Sequence, residues 1–484
     1  MTITKGLNDA VVENYVAAAI MNAVDDRGIL KAEAQLSGAR SHPNLLFVFG
    51  DQWRAQAFGY AGDVNAATPN IDRFAAQSFN FTTAVANTPV CGPSRASLLT
   101  GQYPLKHGVF VNDVPVRPTC TAFGEALAGE YDTAYIGKWH IDGHGRSAFI
   151  PRDRRLGFDF WRGFECSHEY FGSNYYADDG RLATWAGYDA ISQTDEAIKY
   201  ISEHKSERPF ALFVSWGPPH SPYDQVPGDY KARFPADGIQ VPANVPAHLI
   251  DRARRDLAGY YAHGAALDDC FGRLLEAIRD ADLSDETIVI FTSDHGDTLQ
   301  AHGSLSPKQQ PWDESIRVPL LIRMPGANVT GQSGFPIGVI DLMPTCLGLC
   351  GLPVPAGVDG ADRSGIVRGD VESPDEPALI SNFVPFHEAA RDRGGREWRA
   401  IRTTRWTYAR DLNGPWLLYD NEADPLQSAN LVDDAAAQPV RDEMDRLLWR
   451  ELAKRADEFL PGDEYLQRWG YVSDAANNQV PNRF

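Results

Sequence analysis

Four apolar runs along the chain each end abruptly in a polar cluster. Leu45–Phe49 leads into Gly50-Asp51-Gln52, Thr133–Ile136 into Gly137-Lys138-Trp139-His140, Phe210–Val214 into Trp216-Gly-Pro-Pro-His220, and Ile288–Phe291 into Ser293-Asp294-His295-Gly296. Unbroken, branched runs of this kind suit strands buried on both faces, as in a parallel sheet covered by helices. Helical spacing lies between them. The pattern predicts a helix over Ile71–Phe79 after Thr68-Pro69, a helix over Asp195–Glu203 capped by Thr194, and a longer helix over 252–281. This alternation predicts an α/β fold with a large, mostly parallel sheet sandwiched by helices. Ligands of such sheets bind beyond the carboxyl ends of the strands, which is where Asp51, Gln52, Lys138, His140, His220, Asp294 and His295 fall.

The two ends of the chain read differently. Val11, Val12, Tyr15, Val16, Ile20 and Val24 recur at helical spacing, so residues 9–24 are expected to form an amphipathic helix within an arm over 1–40. Such a helix would dock on the main body or pair two copies of the chain. A catalytic domain is expected over 41–368. Beyond it, the exposed-loop signature Gly369-Asp-Val-Glu-Ser-Pro-Asp-Glu-Pro opens a smaller α+β domain over 369–484. Short strand runs at 400–402, 406–408 and 416–419 precede a helix over about 437–459, with Met444, Leu447, Leu448, Leu452 and Phe459 on its apolar side.

Composition narrows the function. The 484 residues carry 45 Lys and Arg against 65 Asp and Glu, a net charge of −20. A field of that sign repels nucleic acid and acidic membranes, and neither is expected as a partner. No apolar run reaches the ~18 residues needed to cross a bilayer. The N-terminus lacks the basic start and unbroken apolar block of a secretory signal. Six scattered cysteines suit neither a disulfide framework nor a structural zinc site, and Cys346 and Cys350 read as small core residues. The expected compartment is the cytoplasm, or the periplasm or exterior if a signal has been removed.

One segment carries chemistry. In Cys91-Gly-Pro-Ser-Arg-Ala-Ser-Leu-Leu-Thr-Gly101, Pro93 suits a helix start and Ser94–Thr100 a helix, with Cys91 just before its N-terminus. Free N–H groups there favour an anion, and Arg95 adds a fixed positive charge. Asp51-Gln52 and Asp294-His295 at converging strand ends suit a divalent cation with oxygen-rich coordination. Each residue alone would more often be a cap, a salt bridge or a buried thiol; their shared place beyond strand ends points to a site.

The block Cys91-x-Pro-Ser-Arg followed by Leu-Leu-Thr-Gly resembles the signature of type I sulfatases, in the alkaline phosphatase superfamily. Gly137-Lys138-Trp139-His140, Pro219-His220, Ser293-Asp294-His295-Gly296, Lys308 and Leu418-Tyr419-Asp420…Asp424-Pro425 follow in the family's order. The resemblance implies an alkaline phosphatase-like fold and hydrolysis of sulfate esters. It implies that a maturating enzyme oxidises Cys91 to formylglycine, whose hydrate attacks sulfur through one hydroxyl and releases sulfate through the other. By position, Asp51, Gln52, Asp294 and His295 would be metal ligands, with residue 91 completing the shell. Arg95 and Lys138 would steady them, and His140 would take the proton on breakdown. His220 and Lys308 would contact the sulfate and serve the leaving oxygen, and Asn112 would be a further sulfate contact.

Many sulfatases carry two adjacent Asp at the first strand end and Asn after the later Asp; here Gln52 and His295 stand instead. Calcium is the expected ion, with manganese or magnesium as alternatives. A subgroup with these Asp-Gln and Asp-His pairs hydrolyses phosphonate monoesters and phosphodiesters, which is the competing expectation. A binding pseudo-enzyme in which Cys91 stays a thiol is the third. The substrate expected is a sulfated carbohydrate, read by loops over 141–182 and 298–312. The first loop holds Arg152, Arg154, Arg155, Trp161, His168, Tyr170, Phe171, Tyr175 and Tyr176, whose rings could stack on sugars and whose arginines could meet further anionic groups.

Overall fold

The computed structural model of the protein describes residues 42–327 and 329–471, so the expected helix over 9–24 and the arm containing it lie outside the described residues. Five strands form the centre of the fold: β1 (Asn44–Asp51), β2 (Asp132–Lys138), β3 (Phe160–Phe164), β4 (Phe210–Pro219) and β5 (Thr287–Ser293). They lie side by side in the order β5-β1-β4-β2-β3, all parallel, within a ten-stranded sheet. Antiparallel strands extend it, Leu320–Arg323 next to β5 and Asn174–Ala177 next to β3. The sheet is thus mixed but mostly parallel at its core, as the apolar runs predict.

All eight residues of β1 are buried. Leu45, Phe47 and Phe49 face one core with Ala96, Leu98 and Leu99 of helix α1 (Cys91–Thr100), while Leu46 and Val48 face another. That second core is covered by α2 (Asp189–Glu203) and α3 (Ile250–Asp280). Two apolar faces on each strand explain why these runs do not alternate. Because the five strands run the same way, their carboxyl ends open on one edge of the sheet, and everything placed there converges.

Three expectations about helices are corrected. Helix α2 starts at Asp189, five residues before Thr194. Thr194 lies inside it and donates from Oγ1 to the Ala190 carbonyl at 2.7 Å, the competing local use of a threonine hydroxyl. The helix after Thr68 spans Pro69–Ala75 and stops short of Phe79, which opens the short strand Phe79–Phe81, paired between Leu320–Arg323 and Gly331–Ser333. Cys91 is the first residue of α1 and not the one before it; the cap is Val90, in extended conformation.

The C-terminal part is a four-stranded antiparallel meander of β6 (Ala378–Asn382), β7 (Trp398–Arg402), β8 (Trp406–Asp411) and β9 (Gly414–Asp420). Helix α4 (Gln438–Lys454) packs on it through Met444, Leu448 and Leu452. It ends before Phe459, which reaches the same core from beyond the helix, where Ala456 adopts φ 51°. This sheet also grips the larger part. Trp398 Nε1 donates to the Gln309 carbonyl at 3.0 Å, and the Gln309 side-chain amide pairs with both backbone groups of Phe386.

Behind β7, Arg399 is fully buried, pairs with both carboxylate oxygens of Asp457 and lies 3.9 Å from the Phe383 ring centroid. Burial raises the Asp457 carboxyl, but Arg399 holds it below the ordinary carboxylate range. Breaking a buried pair leaves an uncompensated charge, so Asp457→Asn is expected to cost about 3–5 kcal/mol, read from the urea midpoint. In the unaltered protein this contribution is present above the unfolded aspartate value of about 3.9 and is lost as pH falls through the lower folded value. Urea midpoints that do not fall on acidification through that range would contradict the pairing.

Candidate active site

At the carboxyl edge of the sheet, β1 delivers Asp51 and Gln52, β2 Lys138 and His140, β4 His220, and β5 Asp294 and His295; each is at most 4% exposed. Helix α1 points its first residue, Cys91, into the same space. Arg95, one turn on, ties the elements together. Its Nε donates to Asp294 at 2.8 Å, its Nη2 to Asp51 at 3.0 Å, and its Nη1 to the Lys138 carbonyl and to Ser215 Oγ. Lys138 Nζ lies 2.6 Å from the same Asp51 oxygen. Gly137 permits this convergence: at φ 110°, a Cβ there would sit 2.0 Å from the Ser215 carbonyl, so only glycine lets β2 and β4 approach.

Cys91 Sγ lies 3.5 Å from Asp51 Oδ1, 3.3 Å from His295 Nε2 and 3.4 Å from Lys308 Nζ. Burial alone would raise its thiol, but Lys138, Lys308 and His295 hold it well below the ordinary range. Lys308 Nζ also meets Gln52 Oε1 at 3.1 Å and His220 Nε2 at 2.7 Å. The other His220 nitrogen faces the Ser221 carbonyl at 2.6 Å; burial and then Lys308 push this imidazole down to about 4. Nε2 is therefore the acceptor of the Lys308 ammonium. His140 contacts Asp113 at 3.3 Å, and Arg146 grips that carboxylate in a fork.

The donor set fits a divalent cation. Asp51, Cys91, Asp294 and His295 are all buried, with one ligand atom of each within 4.8 Å of the others. The His295 Nδ1 proton is directed at the Gly296 carbonyl at 2.8 Å, which turns the Nε2 lone pair toward Asp51 and the sulfur. Gln52 adopts φ 67°, a rare conformation for a non-glycine residue, and donates its backbone N–H to Asp294 Oδ1 and its Nε2 to Asp297. That last bond fixes the amide with Oε1 toward the cluster. Burial and then the Asp51 charge push Asp294 up to about 6, so two carboxylates crowd a site that a cation would relieve.

All the sequence-derived site residues except Asn112 converge on this cluster. Asn112 is buried, but its Oδ1 accepts from the Gly92 N–H at 2.9 Å, so its visible work is to fasten the start of α1. Part of the loop expected to stack on sugars and meet further anionic groups is committed within the fold. Arg152 pairs with Asp159, Arg154 with Asp142, and Arg155 is buried against Trp161, while Trp161 and Tyr170 are core residues. His168 and Tyr176 remain near the site. Sequence reasoning missed Asp113, Ser215, Tyr223 and Asp297. Only Asp297 carried a signal, as the next acid after Asp294-His295-Gly296; its Oδ2 also accepts from Tyr223 at 2.6 Å.

A parallel sheet of this order, with a cysteine at a helix start facing an Asp, Gln, Asp and His cluster, is the layout of the alkaline phosphatase-like hydrolases. The chain belongs to the sulfatase family: the Sulfatase model matches residues 43–352, and the model for the C-terminal part of N-sulphoglucosamine sulphohydrolase matches 302–454. It is 41% identical over 450 residues to the ulvan-active sulfatase of Formosa agariphila, covering 91% of this chain and 86% of that protein. It is 29% identical to the endo-4-O-sulfatase of Bacteroides thetaiotaomicron, over 88% of this chain and 94% of that one. A solved structure from work on glycosaminoglycan metabolism by B. thetaiotaomicron superposes with TM-score 0.78 at 28% identity, covering 88% of this chain and 99% of that one.

Asp297 has no contact with Cys91 in this arrangement, yet it sets the Gln52 amide. Asp297→Ala is expected to weaken binding of a divalent ion about 10–100-fold, measured by calorimetric titration into the metal-stripped protein. Unchanged affinity would show that Gln52 is oriented by other means.

Proposed function

We propose that the protein hydrolyses sulfate esters of a sulfated carbohydrate, through a formylglycine made from Cys91 by a maturating enzyme and one divalent ion. The observation that carries this reading is the position of Cys91 Sγ, on a helix N-terminus, between the Asp51–His295 side of the cluster and the Lys308 ammonium. A nucleophile there has an anion-stabilising cation on one face and metal-ligand groups on the other. The relatives support the substrate class, one being active on ulvan and another an endo-4-O-sulfatase. With Gln52 where many sulfatases have an acid and His295 where they have an amide, Asp51, Gln52, Asp294 and His295 would hold calcium first, with manganese or magnesium as alternatives.

When bound, the ion supplies charge neutralisation for sulfate oxygens and acidifies the attacking hydroxyl. The side chains do the rest. Arg95 and Lys138 fix the Asp51 and Asp294 carboxylates. Lys308 holds a sulfate oxygen and shares its proton network with His220, which stands where the leaving oxygen departs. His140, braced by Asp113, takes the proton from residue 91 when sulfate is released. Asn112 keeps the helix start in register.

Mass spectrometry and kinetics test this. In protein from its native host, the tryptic peptide ending at Arg95 is expected to carry the aldehyde mass, and Cys91→Ala is expected to abolish turnover without lowering the melting temperature. Near-full activity of that variant would overturn the mechanism. An aryl phosphonate monoester turned over with a higher kcat/KM than the matching aryl sulfate would move the assignment to the phosphonate hydrolases. His220→Ala is expected to slow alkyl or sugar sulfates about 10²-fold or more while slowing aryl sulfates less, because only poor leaving groups need the proton of the Lys308 ammonium that His220 Nε2 positions; equal loss on both would remove the Lys308–His220 pair from that role.

A further inference from the structure

A cavity of about 330 Å³, within the usual range for a small-ligand site, lies between the loop that follows β1, helix α3 and the segment after β9. Arg54, Gln56, Val64, Val241, Tyr261 and Leu426 are among its walls, and none of the residues gathered around Cys91 is. It is a cavity separate from the catalytic cluster.

Arg54 sets this cavity apart. Its side chain is 3% exposed, yet its guanidinium makes no hydrogen bond or ion pair among the described residues. Nε is closed to solvent, whereas Nη1 and Nη2 are not, so the guanidinium fork is the part that meets open space, and the cavity that Arg54 lines supplies that space. Burial works against the charge, but Tyr261, Tyr260, Asp63 and Glu314 around it hold it above the ordinary arginine range. A buried cation without a matched acceptor is costly, and a ligand that brings acceptors would relieve it. The Gln56 amide on the same wall is also unbonded among the described residues; its oxygen is closed to solvent and its Nε2 is not. Three unmatched nitrogens, two of them on a buried cation, thus border one cavity.

The acids of the cavity limit what can enter. Asp63 accepts from the Tyr261 hydroxyl and the Asn65 N–H, and Glu314 from Asn244 at 2.7 Å while pairing with His302 at 3.1 Å. Neither forms an ion pair with Arg54, but both repel a ligand that carries more than the one negative charge Arg54 can match. A carboxylate carries that single charge, on two coplanar oxygens that fit the guanidinium fork; sulfate carries two. We propose that this cavity is a second ligand site, which binds a small organic carboxylate with its oxygens on the Arg54 fork and Gln56 Nε2 and its apolar part against Val64, Val241 and Leu426.

The test titrates sodium benzoate into the full chain at constant ionic strength and follows the ligand by NMR. Wild type is expected to bind one benzoate with a Kd of about 1–10 mM, and benzamide, its neutral isostere, about tenfold more weakly or less well still. Arg54→Met is expected to weaken benzoate about tenfold or more, and Arg54→Lys, which keeps the charge without the fork, to weaken it by a smaller factor. Lys308→Ala is expected to leave benzoate binding unchanged. Without ligand, Arg54→Met is expected to melt at or above the wild-type temperature, because an unmatched buried charge gives way to an apolar chain. Absence of benzoate binding to wild type, equal binding of benzamide, or affinity that survives Arg54→Met overturns the site. Loss of binding in Lys308→Ala overturns it by placing the anion at the catalytic cluster. An Arg54→Met protein that melts well below wild type overturns the premise that the guanidinium lacks a partner, and the site with it.

Discussion

The Arg95 guanidinium, fully buried between the Asp51 and Asp294 carboxylates, is the interaction on which the site depends. It joins three elements that are distant in sequence: helix α1 and the ends of β1 and β5. A charge with no access to water persists only when every donor is matched. Here Nε and Nη2 take the two acids, while Nη1 takes the Lys138 carbonyl and Ser215 Oγ on β2 and β4. One side chain thus fixes the relative positions of four strand ends and carries Cys91 on its own helix to the meeting point. The cation also offsets part of the repulsion between two acids that the fold forces together.

The remaining cation, Lys308, is positioned from outside the main sheet. Its loop contains Leu299, Gln300, His302 and Gln309 at positive φ, an unusual density for non-glycine residues. Such a backbone holds only if its surroundings over-determine it. Trp398 on β7 and the backbone at Phe386 clamp Gln309 from the C-terminal sheet, and Trp312 stacks on His302 at 4.6 Å. The smaller sheet thereby acts on the chemistry at a distance: it sets where an ammonium sits beside His220 and Cys91. A chain with a net charge of −20 still gathers three cations, Arg95, Lys138 and Lys308, at one edge of its sheet.

Much of this was legible from residues alone because its physical signals are local. A strand buried on both faces must be apolar at every position, so β1 through Phe49, and likewise β4 and β5, announce themselves, and a parallel sheet then brings the polar residues after each run to one edge. The signature at Cys91 and the strand-end pairs need no more than that. Thr194 failed as a cap because the same hydroxyl serves either a helix start or a bond back to the fourth preceding carbonyl, and only the packing of α2 on α3 decides between them. The arginines at 152, 154 and 155 looked available for anions because their partners Asp159 and Asp142 and the Trp161 ring carry no pattern that pairs them in advance.

What the sequence by itself determined was the class of fold, the place of Cys91 at a helix start and the set of groups at the strand ends, since burial periodicity and turn chemistry act over a few residues. What only the tertiary structure decided was orientation. Gln52 faces the cluster through its oxygen because Asp297, 245 residues away, takes its nitrogen. His220 is held by a lysine 88 residues on, and the ring stacked against it comes from a loop 52 residues before it, as their numbers give. Hydrogen bonds are directional and short-ranged, so the role of such a side chain is settled by whichever partner the folded chain brings within about 3 Å, and no spacing along the chain encodes that.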